Sequence, residues 1–195
     1  GLMRLPVFNG NTEDIDFDQV CEMADKFIAA GFTYFDTSCA YHNGMSEEAV
    51  RRAVAERYPR ESFFLADKLP TFLITEESQV EEYFNASLEK TGAGYFDNYL
   101  LHNVNGARYD GVITSCHMFD YMKRWKAEGK IRHIGISFHD SAEVLDRVLT
   151  EHPEIEFVQI ALNYLDWEDA AVQSHKCYDT VTRHGKPVLV MEPVK

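Results

Sequence analysis

The sequence has few cysteines, and no two of them stand close together. Its 195 residues include only Cys21, Cys39, Cys116 and Cys177, and none of the four belongs to a CxxC motif. Zinc sites and dithiol redox motifs use such pairs, so we interpret all four as single reduced thiols. Single reduced thiols are typical of cytoplasmic proteins, and we therefore expect a cytoplasmic location.

Basic residues and long apolar runs are also scarce. The chain has 19 Lys and Arg residues against 32 Asp and Glu residues, a net charge of −13. Nucleic-acid binding needs clustered basic side chains, so we expect no nucleic-acid partner. No apolar run reaches the roughly 20 residues of a membrane-spanning helix. The opening GLMRLPVF lacks the charged and long apolar regions of a signal peptide.

The chain instead alternates between short apolar runs and segments with helical spacing of apolar residues. Its length and its 45% hydrophobic content fit a single domain over residues 1–195. The apolar runs predict seven strands, at residues 3–7, 33–35, 63–66, 98–101, 131–136, 157–161 and 187–191. The segments between them predict six helices, at residues 16–30, 46–57, 76–90, 119–128, 142–149 and 170–184.

Strand–helix alternation with short connections predicts a parallel sheet, because parallel neighbours need a crossover. Both a doubly wound open sheet and a (β/α)8 barrel fit this alternation. No GxGxxG follows the first predicted strand, where the sequence reads VFNGNTED. Polar residues leave six successive strands at one end, and in a barrel these ends converge on one mouth. This pattern favours the barrel. The polar residues at the strand ends are Asp36, Asp67, Lys68, His102, Ser137, Gln159, Asn163 and Glu192.

Three of these strand-end regions predict an acid–base cluster made of Asp36, Tyr41, Lys68 and His102. A lysine held by an aspartate keeps its charge, and an ammonium group beside a phenol lowers the pKa of the tyrosine from about 10. We therefore expect Tyr41 to donate a proton to a developing alkoxide, with His102 bonded to the same oxygen. A nucleophile and metal-ligand spacing are both missing, which favours carbonyl reduction with hydride from a cofactor.

Five segments of the sequence, taken together, resemble the aldo-keto reductases. FDTSCAY, LADKLP and YLLHN resemble the three catalytic motifs of that family, and IRHIGIS and FVQIALNY resemble two further barrel strands. The resemblance covers essentially the whole chain. It implies a TIM barrel, NADP(H), and hydride transfer to a small aldehyde or ketone. It also implies that Tyr41 is the general acid, that Lys68 depresses its pKa, that Asp36 pairs with Lys68, and that His102 orients the carbonyl group.

The same resemblance implies a cofactor site. Ser137 and Gln159 correspond to positions that hydrogen-bond the nicotinamide carboxamide. Asn163 follows in the same motif, and Met191 stands where many relatives stack a tyrosine on the nicotinamide. The stretches GLMRLP and VLVMEPVK resemble a branch that often carries a ferredoxin-like extension with iron–sulfur clusters. This chain has no cysteines for such clusters, so we predict none here.

The resemblance further implies a barrel truncated after its seventh strand and incomplete at both ends. The family's last strand and most of its pyrophosphate and 2′-phosphate site correspond to sequence beyond residue 191. We expect a missing C-terminal segment or a second copy of the chain to cover the gap. The alternative function is a catalytically impaired nucleotide-sensing or scaffold subunit of the same fold.

Three further expectations concern individual side chains. Asp36, His102 and Glu192 leave open a divalent-metal site at the mouth, as the less favoured chemistry, and we predict no metal. The long segment 104–118 is expected to line the substrate pocket, with Arg108 and Tyr109 meeting a polar substrate.

The acidic pair at positions 47 and 48 opens a predicted helix, and we expect both side chains to be solvated.

Overall fold

The fold is built on one parallel sheet whose strands follow chain order. The structure is a computed structural model and describes residues 1–194. The sheet curls into part of a barrel, and every neighbouring pair of strands is parallel. Its members are β1 (Tyr34–Asp36), β2 (Phe64–Pro70), β3 (Phe96–Val104), β4 (Ile131–Phe138), β5 (Phe157–Ala161) and β6 (Val188–Met191).

Helices connect successive strands and cover the outer face of the sheet. They are α1 (Phe17–Ala29), α2 (Met45–Val50), α3 (Ser78–Thr91), the single turn α4 (Gly106–Arg108), α5 (Met118–Ala127), α6 (Ala142–Glu151) and α7 (Ser174–Arg183). Side-chain caps fix several starts: Asp16 accepts the amide of Gln19, and Ser141 accepts the amide of Val144. None of the helices among residues 1–194 has the length and apolarity that a membrane crossing requires.

The predicted strand at residues 3–7 is wrong, so the described residues form six strands rather than seven. This segment makes only an isolated antiparallel bridge, between Val7 and Ile15, and the amide of Leu2, just before it, donates to the Asp36 carbonyl at 2.8 Å. Pro6 lies in the run and has no N–H for a sheet ladder. The N-terminal segment therefore lies beside the end of β1 without extending the sheet.

Two apolar layers hold the sheet in place. The larger one fills the space between sheet and helices, where Phe84 on α3 stacks on Trp125 of α5 with ring centroids 3.8 Å apart. The smaller one lies on the inner face of the curl, around Leu100 and Phe157. Because buried apolar area stabilises folding by about 25 cal/mol per Å², these layers fix the strands, and with them the strand ends that carry the polar side chains.

Candidate active site

The centre of the site is the fully buried side chain of Lys68, on β2. Its Nζ donates to Asp36 Oδ1 at 2.7 Å, to the Thr37 carbonyl at 2.8 Å and to the Tyr41 hydroxyl at 3.1 Å. The β1–β2 register, which pairs Asp36 with Ala66, brings the end of β1 alongside Lys68. Three of the four predicted catalytic residues thus lie in direct contact around one ammonium group.

The pKa of Lys68 and that of Tyr41 are both set by a balance between burial and charge. Burial alone lowers the pKa of Lys68, but the charges of Asp36 and Tyr41 outweigh it, so the pKa is raised and the amine stays protonated. Burial raises the pKa of Tyr41 more than Lys68 lowers it, and the net pKa lies above the ordinary value. The expected net lowering is therefore wrong, although Lys68 acts in the expected direction.

His102, on β3, completes the predicted cluster. Its ring stands perpendicular to the Tyr41 ring with centroids 5.8 Å apart. Burial and the nearby charge of Lys68 lower the pKa of His102 to about 3, so the imidazole is neutral. Its Nδ1 lies 3.1 Å from Ser38 Oγ, which itself accepts the Ala40 amide at 3.2 Å. Either Ser38 Oγ or His102 Nδ1 can be the donor in this pair, and the tautomer in which Ser38 donates has the ring proton on Nε2.

Two of the four predicted cofactor residues lie next to this cluster. Ser137 on β4 and Gln159 on β5 are register partners, and both are buried. The Gln159 Nε2 donates to Asp36 Oδ2 at 3.1 Å, so Asp36 joins the Lys68 group to the β5 side of the site. Ser137 Oγ lies 3.4 Å from His139 Nε2. The cofactor roles of Ser137 and Gln159 stay predictions.

The other two predicted cofactor residues lie further along the sheet edge. Asn163 is hydrogen-bonded within the loop after β5. Its Oδ1 accepts the amides of Leu165 and Asp166, and its Nδ2 donates to Asp166 Oδ2 at 2.7 Å. Its Nδ2 also donates to the Glu192 carbonyl at 3.1 Å. Met191 pairs with Ala161 in the β5–β6 register and is half-buried. Asn163 thus shapes this loop, and its cofactor role stays a prediction, as does that of Met191.

Sequence reasoning missed three residues that hold the cluster. Ser38 and Thr37 follow Asp36 directly and are fully buried, and their contacts to His102 and Lys68 are described above. Thr71 follows β2, and its hydroxyl donates to the His102 carbonyl at 2.6 Å. The signal was available for the first two, because both belong to the FDTSCAY motif at the end of a predicted strand.

The expectation of a solvated acidic pair is wrong for Glu47. Its side chain is fully buried behind the site, close to the fully buried Asp67, and neither Glu47 oxygen has a hydrogen-bond partner among the described residues. Burial raises the pKa of both carboxyl groups, and the charge of Glu47 raises that of Asp67 further. Lys90 Nζ lies 3.7 Å from Glu47, with about half of its own side chain exposed. Two carboxyl groups that favour their protonated forms therefore lie behind Lys68.

The structure separates the two residues predicted to meet a substrate. Tyr109 is buried, and its hydroxyl donates to Glu151 on α6, so it lies away from the mouth. Arg108 is partly buried and lies with its guanidinium carbon 5.9 Å from the centroid of the Phe72 ring. That ring stands 5.4 Å from the ring of His102. Arg108 therefore lies at the edge of the cluster, while Tyr109 packs in the core.

The metal alternative finds no geometric support in residues 1–194. No group of three or more His, Cys, Asp and Glu side chains in this part of the chain is arranged to hold a metal ion. The set required by that alternative, Asp36, His102 and Glu192, is thus not gathered into one ligand group.

The candidate site thus combines a neutral imidazole, a protonated phenol and an ammonium group at the end of a parallel sheet. The model of the aldo/keto reductase family matches residues 1–195. The chain belongs to the aldo/keto reductase family. An aldo-keto reductase of Mycobacterium avium (strain 104) is 30% identical over 196 residues, covering 97% of this chain and 65% of the relative.

Solved aldo-keto reductases share the fold. The crystal structure of an aldo-keto reductase from Klebsiella pneumoniae in complex with NADPH has a TM-score of 0.73 at 22% identity, covering 93% of this chain and 60% of that one. The crystal structure of a Bombyx mori aldo-keto reductase in complex with NADP has a TM-score of 0.68 at 23% identity, covering 90% and 56%. The chain thus has the fold of part of the family's barrel and spans less than two thirds of the length of these relatives.

Proposed function

We propose that the protein is an NADP(H)-dependent reductase that converts a small aldehyde or ketone to an alcohol, with Tyr41 as the general acid. The observation that carries the proposal is the position of Lys68 Nζ, which bonds both the Asp36 carboxylate and the Tyr41 hydroxyl. An ammonium group in this position stabilises the phenolate that forms when Tyr41 gives up its proton. Family membership supports the same reaction class.

The residues at the ends of β4 and β5 fit the nicotinamide end of such a cofactor. A bound nicotinamide cofactor supplies the hydride. The Ser137 hydroxyl and the Gln159 carboxamide offer the donors and acceptors that a carboxamide group requires, and Gln159 is already tied to Asp36. The relatives from Klebsiella pneumoniae and Bombyx mori were solved with NADPH and NADP respectively, which supports NADP(H) as the cofactor here.

The protonation states suit reduction at neutral pH. Tyr41 holds its proton because its pKa lies above the ordinary value of about 10. Lys68 remains an ammonium group, so its N–H bond to the phenol oxygen persists while the proton leaves. The proton passes from Tyr41 Oη to the carbonyl oxygen of the substrate as that oxygen gains negative charge.

His102 orients the carbonyl group in this proposal. In this proposal Ser38 Oγ donates to Nδ1 and the ring proton is on Nε2, which is therefore a donor toward the same oxygen. A pKa of about 3 keeps the imidazole neutral across the working pH range, so it positions the oxygen without competing with Tyr41 as the acid.

The test is the Tyr41→Phe variant, assayed on the purified chain with NADPH and aromatic aldehydes. We expect kcat to fall by about 100- to 10,000-fold, because the variant loses its general acid. NADPH binding, followed by tryptophan fluorescence, should stay within about threefold, since the phenol ring remains in place. Tyr58→Phe is the matched control: it also removes a hydrogen-bonded phenol, one that donates to Asp25 on α1.

Two results would contradict the proposal. The first is turnover of Tyr41→Phe at the wild-type rate, which excludes Tyr41 as the acid. The second is saturable NADPH binding by the wild-type chain with no turnover of any aldehyde or ketone, which favours the nucleotide-sensing alternative.

A further inference from the structure

Arg108 differs from every other arginine of the chain in its pairing. Among residues 1–194, it is the one arginine of ten without a carboxylate oxygen within 4 Å. The other nine each pair with an Asp or Glu side chain: Arg4, Arg51, Arg52, Arg57, Arg60, Arg124, Arg132, Arg147 and Arg183. In a chain with 32 acidic residues, a partly buried guanidinium without such a partner is an exception.

The backbone around Arg108 is fixed by the strand that carries His102. Asn105, directly after β3, accepts the Arg108 amide at 3.0 Å through Oδ1, and Asp140 accepts the Gly106 amide at 2.7 Å. These two bonds hold the single turn α4 at the end of β3 and β4. The guanidinium itself donates to the Asn103 carbonyl, at a long 3.4 Å. Most of its N–H donors therefore remain available to a ligand.

A series of neighbouring aromatic rings connects the catalytic cluster to Arg108. The Tyr41 and His102 rings lie 5.8 Å apart, the His102 and Phe72 rings 5.4 Å apart, and the Arg108 guanidinium lies 5.9 Å from the Phe72 ring. Phe72 is 37% exposed, so part of its face is open to a ligand. The charge of Arg108 also lowers the pKa of His102 and of His139, after the larger effect of burial on each, which places that charge within reach of the site.

We propose that Arg108 binds an anionic group of the substrate, so that the preferred substrates are aldehydes or ketones with a carboxylate or phosphate beyond a flat apolar body. The inference rests on the carbonyl reduction proposed above. The carbonyl group lies between Tyr41 and His102, the apolar body packs on Phe72, and the anion receives the planar N–H fork of Arg108. A guanidinium matches both anions by paired hydrogen bonds. The reaction itself is unchanged; Arg108 determines which carbonyl compounds are selected.

The experiment compares three substituted benzaldehydes on the wild-type chain and on Arg108→Gln. The para-carboxy and para-phosphate aldehydes carry the two candidate anions, and the para-nitro aldehyde is a neutral analogue of similar shape. We expect Arg108→Gln to lower the kcat/KM ratio of at least one anionic aldehyde to the nitro aldehyde by about 10- to 100-fold, mostly through KM. The anion with the larger loss identifies the natural group. Arg108→Lys should restore part of the ratio, because it keeps the charge without the fork.

Arg147→Gln is the matched control, because it removes the same charge from neighbouring α6, where Arg147 pairs with Asp110 at 2.9 Å. The ratio should be the same in this variant as in the wild-type chain. Unchanged ratios for both anionic aldehydes in Arg108→Gln would overturn the inference.

A binding measurement separates this inference from the proposed function. Calorimetric titration with the para-carboxy and para-phosphate benzyl alcohols, the expected products, requires no turnover. We expect Arg108→Gln to raise the Kd of the preferred product by about tenfold or more. Such a loss without turnover of any aldehyde supports the anion site and contradicts the reductase proposal. Turnover of the nitro aldehyde without Arg108-dependent binding of either product leaves the reductase standing and overturns the anion site.

Discussion

At the scale of single residues, the site depends on opposite effects acting on the same group. Burial alone would neutralise Lys68, but the Asp36 carboxylate keeps it charged. Burial also raises the pKa of Tyr41, and the Lys68 ammonium group only partly offsets that rise. Tyr41 is protonated below its raised pKa, so the midpoint of any activity loss from its ionisation lies above the ordinary tyrosine pKa of about 10.

The hydrogen bond between Ser38 and His102 can be tested by mutation. Ser38→Ala removes the hydroxyl that bonds His102 Nδ1, so in the proposed tautomer the ring loses the contact that keeps its proton on Nε2. We expect kcat/KM for carbonyl reduction to fall by about 5- to 10-fold, the value of one neutral hydrogen bond. Nitrogen NMR of the His102 ring should show a mixture of tautomers in place of one.

The control for Ser38→Ala is Ser115→Ala, because the Ser115 hydroxyl makes only long contacts, 3.5 Å to the Val112 carbonyl and 4.0 Å to Cys116 Sγ, and lies outside the cluster. A fall in kcat/KM with an unchanged ring tautomer would mean that Ser38 acts through packing, and the positioning role would be wrong. Neither kinetics nor tautomer should change in Ser115→Ala.

The sequence predicted which residues of the cluster meet, and it did so for a physical reason. Asp36, Lys68 and His102 lie at the ends of neighbouring parallel strands, and such ends meet at one edge of the sheet. The net pKa of Tyr41 could not be predicted in this way. It depends on how much protein covers the phenol, and burial results from packing of the whole domain.

At the scale of elements, β4 and β5 approach each other through a glycine. A Cβ built on Gly135 would lie 2.3 to 2.7 Å from ring atoms of Phe157, its register partner on β5. Phe157 fills the inner face of the curled sheet beside Ala66 and Leu100. The Phe157 ring therefore occupies the space that a side chain at position 135 would need.

Gly135→Ala tests whether the Phe157 ring needs the space beside position 135. The methyl group would displace the Phe157 ring, and we expect a loss of about 1–3 kcal/mol in the free energy of unfolding, the usual cost of overpacking. Urea unfolding measures it. Phe157→Leu should cost less in the Gly135→Ala background than in the wild-type chain, because the smaller side chain relieves the clash. Additive effects of the two changes would show that methyl group and ring do not compete for the space.

Elements were predictable where isoleucines or other apolar residues recur within a short segment. The strand at residues 131–136 is of this kind, and β4 contains all of it, although Arg132 and His133 within it are exposed. The run at residues 3–7 is equally apolar, but Pro6 and the turn that follows keep it out of the sheet. The helix predicted at residues 170–184 begins only at Ser174, because Asp169 accepts the amides of Ala171 and Val172 and holds a turn there.

At the scale of the whole molecule, the acidic balance is not confined to the surface. The chain carries a net charge of −13, yet Glu47 and Asp67 are fully buried together. This burial could not be predicted from the sequence, because a glutamate in the first turn of a helix is ordinarily solvated. Their raised pKa values mean that folding favours the protonated forms. Their contribution to stability is therefore complete below the ordinary pKa values of about 4 and is lost as pH rises through the raised values.

Asp67→Asn should make the stability of the whole chain less sensitive to rising pH. The variant keeps the Oδ1 acceptor for the Lys68 amide, which lies 2.8 Å away, and replaces Oδ2, which has no partner among residues 1–194, by an N–H donor close to Glu47. We expect it to gain about 1–3 kcal/mol on the wild type between pH 5 and pH 8 or so, because one buried acid no longer ionises and the other gains a donor. Urea unfolding across that range measures the difference. Glu48→Gln removes the same charge from a side chain that is 30% exposed and paired with Arg52, and it should leave the slope unchanged. Parallel curves for Asp67→Asn and the wild type would mean that the buried carboxyl groups do not set the pH dependence, and that it arises among the exposed acids.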